Sequence, residues 1–287
     1  MIGYNGYFCM IRSSILFLTV VALFSGGISH AQDVTEDKSV WEKLGEDGGI
    51  FLQDAGSFFG APLRFSGTDW LITAGVAGGT VALMSADEEF RDLLGSDNTA
   101  SLNDDFWDIP TRYGIVSYAN IFSLGVYATG LATGSDDWRR TGRLLFESIS
   151  YSGISVMAFR YVFGRSRPYE GNSEWDFNWF ETSNEIQSFP SGHTTVAFAL
   201  STVLAEEIGG VWAGIAFYGM ASMTAYARVR NNQHWVSDVV AGAGLGLVTG
   251  FHVISQERAR ERGNSSPGTG LSIVPGVGRI LFIYRLP

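Results

Sequence analysis

Three short polar segments at the ends of apolar runs carry most of the residue types that could do chemistry. In Arg228-Val-Arg-Asn-Asn-Gln-His234-Trp-Val-Ser-Asp238 an imidazole and a carboxylate stand four residues apart. A helix opening near His234, capped by Asn231 or Asn232, would bring that carboxylate to one ring nitrogen. An imidazole oriented in this way serves as a nucleophile or a base. In Pro190-Ser191-Gly192-His193 an N-capping Ser191 and a small Gly192 would open a second helix, whose first N–H groups point at any anion in front of them. In Arg160 to Arg167-Pro168 two guanidiniums are seven residues apart, two turns along one helix face, and Pro168 would end that helix at Arg167. Each segment alone also fits a plainer role: a solvated basic face, a capped helix start with a structural histidine, or a surface His–Asp pair. Gathered, they supply what binds and attacks a phosphate dianion. His193, His234 and Asp238 would satisfy a metal, but Arg160, Arg167 and Arg228 nearby would repel it, so phosphate is preferred over metal. A serine-hydrolase reading fails because no Gly-x-Ser-x-Gly elbow is present. Arg165 and Arg230 lie off these positions and read as supporting or solvated, and His252 reads as a core residue.

The elements that must position these groups are helical. Six apolar, Gly/Ala/Ser-rich stretches run at about 70–85, 113–134, 142–166, 192–207, 209–227 and 234–254. An acidic loop, Asp87 to Asp108, separates the first two, and an aromatic loop, Tyr169 to Phe189, separates the third and fourth. Residues 1–31 read as a secretory signal, with Arg12, an apolar run from Ile15 to Phe24 and Ser29-His30-Ala31 as the cleavage site. Residues 32–69 form an acidic amphipathic segment of one or two short helices leading to Pro62, 70–255 the helical domain, and 256–287 a flexible linker and a tail that alternates as a small β-hairpin would. The expected fold is all-α, a six-helix bundle.

Composition narrows the classes. The 287 residues are 46% hydrophobic and 17% charged, with a net charge of −10, which argues against global disorder and against nucleic-acid binding. Mean hydropathy is +0.11, high for a soluble enzyme and low for a chain buried in lipid throughout. The one cysteine, Cys9, precedes the signal's apolar run, so the mature chain has no disulfide. Glu147, Glu206 and Glu207 sit in or at the end of apolar stretches, and the arginine clusters at 139–143 and 258–262 conflict with an export signal followed by six spans. An exported, membrane-associated bundle of the periplasm or envelope is favoured over a six-span protein.

The ordered set of segments resembles the signature of the type 2 phosphatidic acid phosphatase (PAP2) and vanadium haloperoxidase superfamily: Lys-x6-Arg-Pro, Pro-Ser-Gly-His, and Ser-Arg-x5-His-x3-Asp. Here Arg160 replaces the family lysine, keeping the charge, and Ala227 replaces the usual serine, removing a hydroxyl. The resemblance implies that His234 attacks phosphorus, Asp238 fixes its tautomer, and His193 protonates the leaving alcohol and then activates water. Arg160, Arg167, Ser191, Gly192 and Arg228 would hold the phosphoryl oxygens, with no metal or other cofactor. The implied substrate is a phosphorylated lipid or a small phosphate ester. Vanadate would act as an inhibitor, or as the cofactor in the alternative reading of a haloperoxidase; a non-catalytic phosphate-lipid binding protein is the third reading. The aromatic insert Trp175, Phe177, Trp179, Phe180 and Phe189 either receives a lipid chain or packs on the bundle.

Overall fold

The computed structural model describes residues 38–94, 104–181, 183–263, 270–276 and 279–285. The signal segment 1–31, with Cys9, lies outside them. All six apolar stretches are helical, but the described residues hold nine α-helices where six were expected: α1 (Val40–Phe59), α2 (Gly67–Met84), α3 (Asp87–Leu94), α4 (Asp104–Tyr113), α5 (Val116–Thr133), α6 (Asp136–Phe163), α7 (Gly192–Ile208), α8 (Val211–Arg230) and α9 (Val236–Glu261). Two of the extra helices come from the segment read as an acidic loop. Asp87, Glu88 and Glu89 occupy the first turn of α3, where a helix N-terminus favours negative charge. The third, α1, lies in the acidic N-terminal segment and turns Asp47, Asp54 and Phe58 inward.

The linker reading of 256–270 is corrected over its first part, because α9 continues to Glu261. Its charges are satisfied by partners distant in sequence. Arg258 reaches Glu206 at 2.8 Å, and Arg260 holds both oxygens of Asp54 at 2.8 Å. Beyond α9, the backbones of β1 (Gly270–Gly276) and β2 (Arg279–Arg285) pair antiparallel, with Ile273 opposite Phe282.

The site is positioned by the seam between α7 and α9. Gly242, Gly246 and Gly250 recur every fourth residue on α9, so they share one face. A Cβ on Gly246 would lie 2.4 Å from Thr195 O, and one on Gly242 would lie 2.7 Å from Ser191 O. Only glycine lets the two helices approach this closely, and the approach sets their N-termini side by side. Around the seam lie Leu144, Leu145, Ile149, Leu200, Val203, Leu204 and Val253, all buried.

Near the start of α6 a second, charged cluster is enclosed. Arg143 meets Glu147 at 2.9 Å, Glu257 at 2.7 Å and Asp47 at 3.3 Å. Arg139 joins Asp47 at 3.2 Å, and Arg260 joins Glu257 at 3.0 Å as well as Asp54. Four carboxylates thus share three guanidiniums, and the excess falls on Glu147, whose Oε2 is buried without a partner. Burial pushes the Glu147 carboxyl up to about 7 against the opposing pull of Arg143. His252 packs on Phe58 at 5.2 Å, a core residue as its mid-helix position suggested.

Large apolar side chains remain exposed on α2 (Leu71, Val76), α5 (Ile121) and α8 (Trp212, Ile215). Among the described residues one helix, α9, is long and apolar enough to cross a membrane. The number rises to three if two bent pairs, α2 with α3 at 56° and Phe106–Tyr113 with α5 at 64°, are each one span.

Glu147 makes stability fall as pH rises. Its folded pKa of about 7 lies above its unfolded value, so its contribution is complete below the unfolded value and is lost as pH passes through about 7. Glu147→Gln removes this dependence. Its melting temperature minus that of the wild type should grow by a few degrees, roughly, between pH 5 and pH 8, by thermal melts at each pH. A difference that stays flat contradicts the assignment.

Candidate active site

The third apolar stretch ends earlier than Pro168 suggested. Gly164 is left-handed at φ 51°, and a Cβ there would lie 1.8 Å from Asn178 O, so the chain must leave the helix at Phe163. Arg160 is therefore on the last turn of α6, while Arg167 is extended ahead of Pro168. The two guanidiniums converge from helix and loop rather than from one helix face. Each depresses the proton affinity of its surroundings: Arg160 is pulled down to about 10 by burial and then by Arg167.

Ser191 occupies the cap position of α7, but its side chain caps nothing. Its Oγ instead accepts from Thr194 Oγ1 at 3.0 Å, and its N–H donates to Asp238 O at 3.0 Å. The open donors of this helix start begin at Gly192. The Arg160 guanidinium lies directly over that glycine, so that a Cβ would stand 3.1 Å from Nη2, and Arg160 Nε donates to Pro190 O at 3.3 Å.

The expected asparagine cap of α9 is also corrected. Asn231 ends α8, Asn232 is left-handed at φ 52°, and Trp235 takes the cap position. Asp238, at the third helical position, accepts the Trp235 N–H at 2.9 Å. His234 thus precedes the helix, and its Nδ1 is 3.7 Å from Asp238 Oδ2, too far for a hydrogen bond. Nδ1 lies 2.8 Å from Ser188 O instead. A carbonyl only accepts, so Nδ1 carries the proton and Nε2 presents its lone pair. That Nε2 is buried and has no partner.

Charge surrounds both imidazoles. Burial first, then Arg228, His234, Arg160 and Arg167, pull His193 down to about 3. Burial also brings His234 to about 3, with Arg228 and Arg160 opposing the upward pull of Asp238. Arg228, on the last turn of α8, falls to about 10 through burial and the other two arginines. A bound dianion reverses these signs, raising the imidazoles as it enters. These contacts and charge couplings bring the eight residues singled out in the sequence close together.

Sequence reasoning missed three contributors, Gln233, Ser188 and Asp87, and left Arg165 between a supporting and a solvated role. Gln233 Oε1 accepts from both Arg167 Nη1 (3.0 Å) and Arg228 Nη2 (3.2 Å), holding them together despite like charge. Ser188 and Asp87 reach the site from outside the three segments. Arg165 supports it from within the first, since it is fully buried on Asp238 at 2.7 Å and Asp87 at 2.9 Å. The adjacency of Gln233 to His234 and the acidic opening of α3 at Asp87 were the only signals available.

Three arginines, an open helix start and two imidazoles converge here, a set of groups suited to holding and handling a phosphoryl group. Residues 142–262 match the PAP2 superfamily model. The chain is 40% identical over 100 residues to a lipid A 1-phosphatase of Porphyromonas gingivalis, covering 34% of this chain and 20% of that protein. It is 30% identical over 107 residues to a lipid A 1-phosphatase of Rhizobium etli, covering 37% of this chain and 45% of that protein. The match therefore spans less than half the length of these curated relatives. The crystal structure of Aquifex aeolicus LpxE superposes with a TM-score of 0.45 at 23% identity, over 59% of this chain and 94% of that one.

Gly192→Ala should weaken inhibition by vanadate, a phosphate mimic, by about three- to tenfold, because Arg160 must give way by a few tenths of an ångström. Melting temperature should stay near that of the wild type. Inhibition constants measured on both proteins check this, and an unchanged constant contradicts the contact.

Proposed function

We propose that this protein is a phosphatase that hydrolyses a phosphorylated lipid of the cell envelope without a metal, through a phosphohistidine on His234. The single observation that carries the mechanism is the buried, unpartnered Nε2 of His234, with its proton pinned on Nδ1 by Ser188 O, inside a ring of arginines. The phosphoryl group would sit between Arg160, Arg167, Arg228 and the first N–H groups of α7. The Nε2 lone pair forms the bond to phosphorus as the bond to the alcohol oxygen breaks. His193, protonated once the dianion is bound, gives its proton to that oxygen. Neutral His193 then takes a proton from water, which attacks phosphorus, releases inorganic phosphate and returns Nε2 to its lone pair. Repulsion of a cation by the same arginines supports the metal-free reading.

Two features support a lipid as substrate. Trp175, Trp179 and Phe180 are exposed, and the last two lie tilted or edge-on against Phe163 and Tyr161 beside the Arg160 turn. The apolar side chains left open on α2, α5 and α8 would seat the domain against the membrane. The matched portions of the lipid A 1-phosphatases point the same way, toward a glycolipid monophosphate or diphosphate. An exported location, with the signal read at 1–31, fits that substrate.

Phosphate release is the test, measured with EDTA present on lipid A, phosphatidate and a soluble aryl phosphate. Wild type should turn over a lipid ester fastest, and His234→Ala should lose at least about a thousandfold in kcat while keeping its melting temperature. A His234→Ala protein that remains active overturns the mechanism; preference for the soluble ester overturns the lipid assignment.

A further inference from the structure

Arg165 has five N–H donors and the protein occupies all of them. Nε donates to Glu174 O at 2.9 Å; Nη1 donates to Ser237 Oγ and to Asp238 Oδ1, both at 2.7 Å; Nη2 donates to Asp87 Oδ2 at 2.9 Å and to Glu174 O at 2.7 Å. Unlike Arg160 and Arg228, it has nothing left to offer a substrate. Its role must be exercised through what it holds, and it holds two carboxylates, each without exposure.

One of them, Asp87, lies on α3, outside the three motif segments and outside the stretch matched to the superfamily. Its Oδ1 accepts the Ser237 N–H at 2.9 Å, and its Oδ2 accepts from Ser237 Oγ as well as from Arg165. The other is Asp238, whose Oδ2 accepts from Ser188 Oγ at 2.5 Å. Ser188 is the link to the imidazole, since its hydroxyl is tied to the carboxylate while its carbonyl takes the His234 Nδ1 proton.

We propose that Asp87 is a positioning residue for His234, acting through Arg165, Asp238 and Ser188. Two effects run along this chain of contacts. The first is geometric: the Arg165 fork cannot rotate while Asp87 holds one of its arms, so Asp238 and the Ser188 carbonyl stay in register with the ring. The second is electrostatic. Arg165 is one positive charge set between two carboxylates, so the trio keeps a net negative charge beside the ring, which gains positive charge as Nε2 bonds to phosphorus. Without Asp87 the Arg165–Asp238 pair would be neutral and that charge would go unanswered. The inference rests on the reading of His234 as the nucleophile.

The test uses the full chain with its histidines labelled with 15N, as wild type, Asp87→Asn, Asp87→Ser and Ser188→Ala. Ring-nitrogen spectra report the His234 tautomer, and phosphate release reports kcat and KM separately. Wild type should show one tautomer, protonated on Nδ1. Ser188→Ala keeps the carbonyl but frees it from Asp238, and should show a mixture of tautomers. Either Asp87 variant should lose about tenfold or more in kcat with KM within about twofold, and its His234 signals should move. The smaller Asp87→Ser, compatible with a helix start, keeps the test open if Asp87→Asn does not fold. Wild-type His234 signals in a folded Asp87 variant overturn the proposal, whether kcat is retained or falls together with melting temperature. If wild type releases phosphate from no ester, the proposed function fails, while the spectra still decide whether Asp87 sets the ring.

Discussion

The Asp238 side chain and backbone tie together three segments that are far apart in sequence: Arg165, Ser188 to Ser191, and its own helix start. Its carboxylate takes hydrogen bonds from Arg165, Ser188 and the Trp235 N–H, and its carbonyl takes the Ser191 N–H that starts α7. A buried carboxylate is costly unless it is fully bonded, and this one is; burial raises its pKa, but Arg165 and its hydrogen bonds bring it below the ordinary value. The glycine face of α9 serves the same bond. With a larger residue at Gly242 or Gly246 the start of α7 would be held away from Asp238, and the helix start that faces the anion would move with it.

The pocket above this carboxylate is built against folding. Burial and mutual repulsion lower both Arg160 and Arg228, and both imidazoles are driven neutral by the same field. Such a concentration of like charge is kept where a ligand supplies the missing countercharge. Gln233 eases it through one neutral oxygen shared by two guanidiniums, without placing an acid where the proposed phosphate would sit. An aspartate there would relieve the repulsion better and would repel the substrate.

How much of this could be read from the chain depends on distance along it. The six long helices were legible from apolar runs, and the eight pocket residues from the spacing of three segments at helix ends. The helix boundaries were less so. Pro168 drew attention to itself as a stop, but the stop is Gly164, because Asn178 from the aromatic loop leaves no room for a side chain. Asn231 and Asn232 looked like caps for α9, yet the cap is Trp235, since Asp238 reaches back to its N–H. Residues 256–261 looked like a linker because their charges seemed solvated; Asp54 and Glu206, which hold them in the helix, are about 200 and 50 residues away. Asp87 and Ser188 carry no local pattern that ties them to a histidine, and only the fold brings them there.

The orientation of the helices resolves a difficulty that composition alone poses, namely how three arginines stay charged in a buried pocket. Arg160 is in the last turn of α6 and Arg228 in the last turn of α8, where the helix C-termini carry partial negative charge. Each cation therefore sits on the dipole end that favours it. The place proposed for the anion is at the start of α7, on the end that favours an anion. Two helices present cations by their C-termini while a third presents open N–H groups, so the field at the pocket comes from the backbone as well as from the side chains. Glu147, in the acidic cluster near the start of α6, lies about 20 Å along the same helix from Arg160, by its 1.5 Å rise per residue, too far to pair with it. The carboxylates of that cluster are engaged by Arg139, Arg143 and Arg260, so the countercharge proposed for the three arginines is a bound anion.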